Sequence, residues 1–179
     1  MKTTCFRILQ WTSLLLALAL ALPGTATATD EIFVRIDGIL GESTEIGHEK
    51  WIEARAVGNS VSQVSDAQRA AFSDIAILKN IDRASPLLFV GAAMGTTYDT
   101  VTIDFVREGR LLLTYFRMQL FNAVITGVRT NANSTDGSVT EFVTLKYSRI
   151  SWSYTVQNDD GSPGDKVQGC WDLATNAAC

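Results

Sequence analysis

Beyond residue 30 the apolar side chains of this sequence recur at every second position, and that period restricts the fold to sheets. Val101, Ile103 and Phe105 alternate with Thr102, Asp104 and Val106. Glu108-Gly109-Arg110 reads as a turn, after which Leu112, Thr114, Phe116, Met118 and Leu120 carry the alternation onward. A period of two belongs to strands with one buried face. Asn131 to Ser138 is a turn-rich connector leading to Val143, Leu145 and Tyr147. The phase then slips by one residue, with Ile150, Trp152 and Tyr154 taking up the pattern, which predicts a β-bulge within one long strand. Asn158 to Gly164 reads as a further loop, and Lys166 to Leu173 as a last short strand.

One segment has another character. Ser85 is a candidate N-cap, Pro86 suits the first helical position, and Gly95 supplies a stop after Met94. Leu87 to Val90 and Ala92 to Met94 leave almost no polar face, so the expectation is a short, largely buried helix. The residues thus predict a barrel or sandwich of about seven or eight strands with one short helix packed on it. Trp51, Phe105, Phe116, Trp152 and Trp171 are expected in its core, since bulky rings dominate burial in small β domains.

The N-terminus has a different purpose. Lys2 and Arg7 form a basic start, Leu14 to Leu22 is an unbroken run of Leu and Ala, and Ala26-Thr27-Ala28 is a small-x-small cleavage site. These are the three parts of a secretory signal peptide over residues 1–28. The apolar run falls short of the roughly 20 residues that span a bilayer. Cleavage after Ala28 leaves residues 29–179 as a single domain, with no membrane span and a length that buries roughly 70% of the unfolded chain's surface. The expected location is outside the cytoplasm, either periplasmic or extracellular.

Charge and cysteine content narrow the partners. The full chain has 15 basic and 19 acidic residues, for a net charge of −4. The signal contains two of the bases and none of the acids, so the remainder is more acidic still. No basic stripe is present for nucleic acid or an anionic membrane. Cys5 departs with the signal, leaving Cys170 and Cys179 as a possible disulfide in an oxidising compartment. Closing that short loop stabilises by about 2–3 kcal/mol and ties down only the tail. An intermolecular bridge is the alternative.

Chemical readings of the polar residues are weak. His48, the only histidine, has Glu42, Glu45, Glu49 and Glu53 around it. His48-Glu49 begins a zinc-peptidase HExxH pattern, but Ile52 occupies the place of the second histidine. Asn158 to Gly161 lacks the spaced ligands of a calcium loop. Two loop glutamates could in principle hydrolyse a glycoside, yet solvated surface carboxylates explain them as well. No nucleophile elbow, dinucleotide fingerprint or phosphate loop occurs, so the reading is a non-enzyme without metal or cofactor. His48 is read as a hydrogen-bonding residue that orders the turn before Trp51.

Residues Asp37 to Trp51 (DGILGESTEIGHEKW) carry a resemblance. With Ile32 to Ile39 before them and Ile52-Glu53 after, they are similar to the first strand and long loop of the haemolysin-coregulated protein (Hcp) family, the tube subunit of the type VI secretion system. Asp82 to Phe89, Ile150 to Tyr154 and Gly169 to Leu173 follow in the family's order. The resemblance implies a two-sheet β-barrel with one flanking helix. It also implies homohexameric rings that stack into a tube, with spike, sheath and effector proteins of the secretion machine as partners. Gly41, Glu42, Ser43, Gly47, His48 and Glu49 would then be an assembly loop rather than an active site. The signal peptide and the cysteine pair depart from the family pattern. They leave open an exported, monomeric binding module on the same fold, with a carbohydrate or protein ligand. N-terminal sequencing of the protein exported from an expressing bacterium is expected to start at Thr29; material that still begins at Met1 would remove the signal peptide from this reading.

Overall fold

The computed structural model describes residues 30–64, 69–107, 112–133, 135 and 137–179. The expected signal peptide and the turn at residues 108–110 lie outside the described residues. Among the described residues eleven strands and one helix follow in the order β1 (Asp30–Ile36), β2 (Ile52–Gly58), β3 (Val61–Val64), β4 (Arg69–Phe72), β5 (Ile75–Asn80), α1 (Ser85–Met94), β6 (Thr97–Arg107), β7 (Leu113–Ala132), β8 (Val139–Lys146), β9 (Arg149–Gln157), β10 (Pro163–Asp172) and β11 (Ala177–Ala178).

Nine strands form one antiparallel sheet in the order β11-β10-β9-β7-β6-β1-β2-β5-β8, and β8 returns to pair with β7. That return closes a six-stranded barrel from β7, β6, β1, β2, β5 and β8. Strands β9, β10 and β11 extend from it as an open wing. The β3–β4 hairpin is a sheet of its own. The chain is therefore mainly β, a barrel with one short helix, and the strands beyond seven or eight are the small hairpin and the two-residue β11.

Side-chain alternation explains the interior. Val34, Ile36, Val101, Ile103, Met118, Leu120, Val143, Leu145 and Ile150 all point inward and are almost fully buried. The core is aliphatic. Trp51, Phe105, Phe116, Trp152 and Trp171, expected at its centre, are only half-buried. The barrel's bore is filled by branched side chains, and Trp152 and Trp171 of the wing lie against Phe72 of the β3–β4 hairpin at 6.3 and 6.2 Å.

Strand β7, at 20 residues, is the longest element, and it contains Asn131 and Ala132, expected in the connector. Phe116 to Phe121 pair with β9, whereas Val124 to Ala132 pair with β8. Between them Asn122 has a φ of 49°, a left-handed conformation that asparagine tolerates better than most residues. Opposite lies the corner at Tyr147-Ser148, where Ser148 donates its N–H and its Oγ–H to the Phe121 carbonyl and accepts a bond from Asn122 Nδ2. The one-residue phase slip is this corner. It divides two strands rather than forming a bulge inside one, because β8 must turn onto β5 to close the barrel while β9 continues into the wing.

The helix also differs from expectation. Ala84, not Ser85, occupies the N-cap, without a side-chain cap. The Ser85 hydroxyl is used elsewhere: it donates to Glu141 Oε1 at 2.8 Å and accepts the Asp82 N–H at 3.1 Å. Gly95 ends the helix in the left-handed region as expected. Only Ser85, Leu88 and Gly91 of the helix are buried. Phe89, Val90 and Met94 are 42%, 51% and 74% exposed, because the barrel wall meets just one stripe of a helix that is apolar all round.

A buried charge network anchors the helix entry. Lys79 on β5 and Glu141 on β8 are at most 1% exposed, with Nζ 2.7 Å from Oε1. Lys79 Nζ also donates to Asp82 Oδ1 and to the Asn80 carbonyl, each at 2.7 Å. Removing one partner of such a pair leaves an uncompensated buried charge, which costs about 3–5 kcal/mol. Lys79→Met is expected to destabilise by that amount in urea denaturation, and Lys79→Met with Glu141→Leu by less; a double variant as unstable as the single one would contradict this account.

Candidate functional site

The loop between β1 and β2 is a compact hairpin rather than an extended arm. Gly41 donates to the Lys50 carbonyl at 2.8 Å, Lys50 to Ser43 at 2.7 Å and Ser43 to Trp51 at 3.1 Å. Gly41 is required for close approach, since a Cβ there would fall on the Trp51 backbone. At the tip Gly47 has a φ of 85°, outside the range that other residues readily adopt. Glu45 Oε1 accepts the Ile46 N–H, and Glu49 Oε2 accepts that of Gly47. Glu42 Oε1 accepts the Arg83 N–H, tying the loop to the entry of α1.

His48 fixes this hairpin to the barrel wall. Its ring stacks on Phe33 at 4.6 Å and meets Trp51 edge-on at 4.8 Å. Nε2 lies 2.9 Å from Asp104 Oδ2. Asp104 stands on the outer face of β6, paired with Phe33 of β1 and Arg117 of β7, and is fully buried beneath the loop. Arg117 grips it with a fork: Nε donates to Oδ1 and an Nη to Oδ2, both at 2.6 Å. Bidentate, charge-assisted bonds of this kind are roughly twice as strong as neutral hydrogen bonds and fix the geometry of both partners. The Asp104 bonds raise the Arg117 guanidinium above its ordinary value, so the cation is permanent. Among the described residues His48 Nδ1 is buried without a hydrogen-bond partner.

The expected site residues therefore divide. Gly41, Ser43 and His48 are buried structural members of the hairpin, whereas Glu42, Gly47 and Glu49 are exposed on it. Glu45 and Glu53 share an open depression of about 520 Å³ with Asp30, Glu31 and Arg55; the other two glutamates do not line it. Among the described residues no group of three or more His, Cys, Asp or Glu is placed to hold a metal ion. The turn at Asn158 to Gly161 is closed by Asp160, whose Oδ1 accepts both the N–H and the hydroxyl of Ser162. Cys170 and Cys179 are joined in a disulfide that holds β11 against β10. Asp104 and Arg117 give no signal in the sequence beyond being polar members of an alternating strand.

A family description, "Type VI secretion system effector, Hcp", matches residues 33–154. The chain belongs to the Hcp family. It is 24% identical over 156 residues to Protein hcp1 of Pseudomonas aeruginosa, covering 82% of this chain and 96% of that protein. Hcp1 from Salmonella typhimurium has a structure similar to it at a TM-score of 0.74, with 25% identity over 84% of this chain and 99% of that one. A type VI secretion system effector from Yersinia pestis aligns at 0.66, also at 25% identity, over 79% and 98%. The β10–β11 clip, Cys170 to Cys179, lies beyond the residues that the family description matches.

His48→Ala removes a hydrogen bond to a charged group, worth about 1.5–3 kcal/mol. The expected result is that loss in urea denaturation together with faster hydrogen exchange at the Gly41, Ser43 and Lys50 amides. Unchanged exchange there would show that His48 does not hold the hairpin.

Proposed function

We infer that the protein is a non-enzymatic, exported structural subunit that works by self-association into homohexameric, Hcp-like rings. The observation that carries this reading is the hairpin at residues 41–50, where His48 is fixed to the buried Asp104 carboxylate while Ile46 at the tip is offered to solvent. Ile46 at that tip is 79% exposed. A projecting apolar side chain on a rigid support is suited to enter a neighbouring copy, at little entropic cost on docking. Exposed Phe89, Val90 and Met94 on α1 provide a second apolar surface of the sort that marks protein contacts. Head-to-tail contacts between unlike patches close into rings or propagate into stacks.

By family resemblance, the partners beyond self are spike, sheath and effector proteins of a type VI machine. The signal peptide over residues 1–28 and the Cys170–Cys179 bond favour a periplasmic or extracellular working place. Among the described residues no helix is long and apolar enough to cross a membrane. Light scattering of the exported protein, with electron microscopy of the same peak, is expected to give a hexamer with a central hole. Ile46→Asp should shift that mass toward the monomer. A wild-type monomer at all concentrations would instead favour a binding module on the same barrel.

A further inference from the structure

The wing has a trough on its outer face that nothing in the ring reading requires. Arg117 and Gln119 of β7 pair with Ser153 and Ser151 of β9, which in turn pair with Gln168 and Cys170 of β10. Alternation turns all of these to one face of the sheet. The middle strand presents only short hydroxyls, and the flanking strands present long side chains, including Lys166 one step further along β10. The result is a channel of about 560 Å³ whose end is walled by the disulfide, Cys170 to Cys179, together with Ala178. Two strand spacings set the distance between its walls at about 10 Å, and its length over five residues of β9 is about 14 Å.

Its chemistry is selective. The lining contains Lys166 and Arg117, the latter already paired with Asp104 through two of its nitrogens, and no acidic side chain, although the chain as a whole carries a net charge of −4. Gln119, Ser151, Ser153 and Gln168 make no side-chain hydrogen bond among the described residues, and Lys166 forms no ion pair there. By contrast Asn122 bonds Ser148 and Thr126 bonds Asp74. A helix with its side chains is about 10–12 Å across and does not enter such a channel; a single extended chain does. Trp152, which also lines the trough, stacks one ring face on Phe72.

We propose that this trough binds an extended, acidic segment of a partner polypeptide. The amides and hydroxyls hold its main chain, and Lys166 and the uncommitted nitrogen of Arg117 hold its carboxylates. The disulfide clip is the end wall, so the site depends on oxidation. This goes beyond ring assembly and does not require it.

The test uses the purified, oxidised protein and an acetylated, amidated octapeptide of alternating Ala and Glu, with the Gln counterpart as control, read by calorimetry. The Glu peptide is expected to bind at least about tenfold more tightly than the Gln peptide, and more weakly as salt rises. Lys166→Glu and the channel-filling Ser153→Trp should each weaken it by about tenfold or more, with circular dichroism showing the fold retained. Reduction of the Cys170–Cys179 bond should weaken it as well. Equal binding of the two peptides, or no binding at millimolar peptide, overturns the proposal. Tighter binding of polygalacturonate fragments than of the peptide overturns it in favour of a carbohydrate site. A change of native mass in Lys166→Glu without peptide binding overturns it in favour of a second copy, while an unaltered ring that fails to bind leaves the assembly reading standing.

Discussion

Everything in this fold depends on β7 being hydrogen-bonded along both edges. A strand of ordinary length has two neighbours; β7 has three, because β8 and β9 share one of its edges end to end. The upper part closes the barrel and the lower part starts the wing. Asn122 and the Tyr147-Ser148 corner mark the division. Closure removes the free edges that an open six-stranded sheet would expose, leaving the wing as the place where an edge persists. There the β11 clip covers the Trp171-Asp172 end of β10.

Two charge clusters then fix what the apolar core cannot. Aliphatic packing is non-directional and tolerates sliding, whereas a carboxylate with a fork of donors accepts one geometry. Lys79 and Glu141 join β5, β8 and the entry of α1 inside the barrel. Asp104, Arg117 and His48 do the same on the outside, for β6, β7 and the hairpin. Glu42, through the Arg83 amide, links the hairpin to the segment that Lys79 organises. The candidate assembly hairpin is thereby mechanically continuous with the barrel and with α1.

Much of the barrel is legible in the sequence because alternation is a local signal. Val101, Ile103, Leu120, Leu145 and Ile150 announce their inward direction through their immediate neighbours. The phase slip after Tyr147 is equally visible, but its meaning depends on Asn122, a partner distant in the chain. The exposure of α1 is hidden in the sequence for a related reason: an apolar helix shows that partners are needed, not that its own barrel supplies them. The loop drew attention through His48 and its glycines. Asp104 and Arg117, which hold it, are alternating polar positions on two strands, and only the register across β6 and β7 brings them under it. The trough is less legible still, since its serines are unremarkable until β7 and β10 flank them.

The topology also has a consequence for how the chain is made. Strands β1, β2 and β5 pair with one another, but β1 also rests on β6 and β5 on β8, so closure waits for segments that are synthesised much later. Non-local pairings of this kind are paid for in loop entropy and form slowly. Until Glu141 arrives, Lys79 has only Asp82 as a counter-ion and the bore cannot dry. A chain with this wiring cannot close its barrel until most of it has been synthesised.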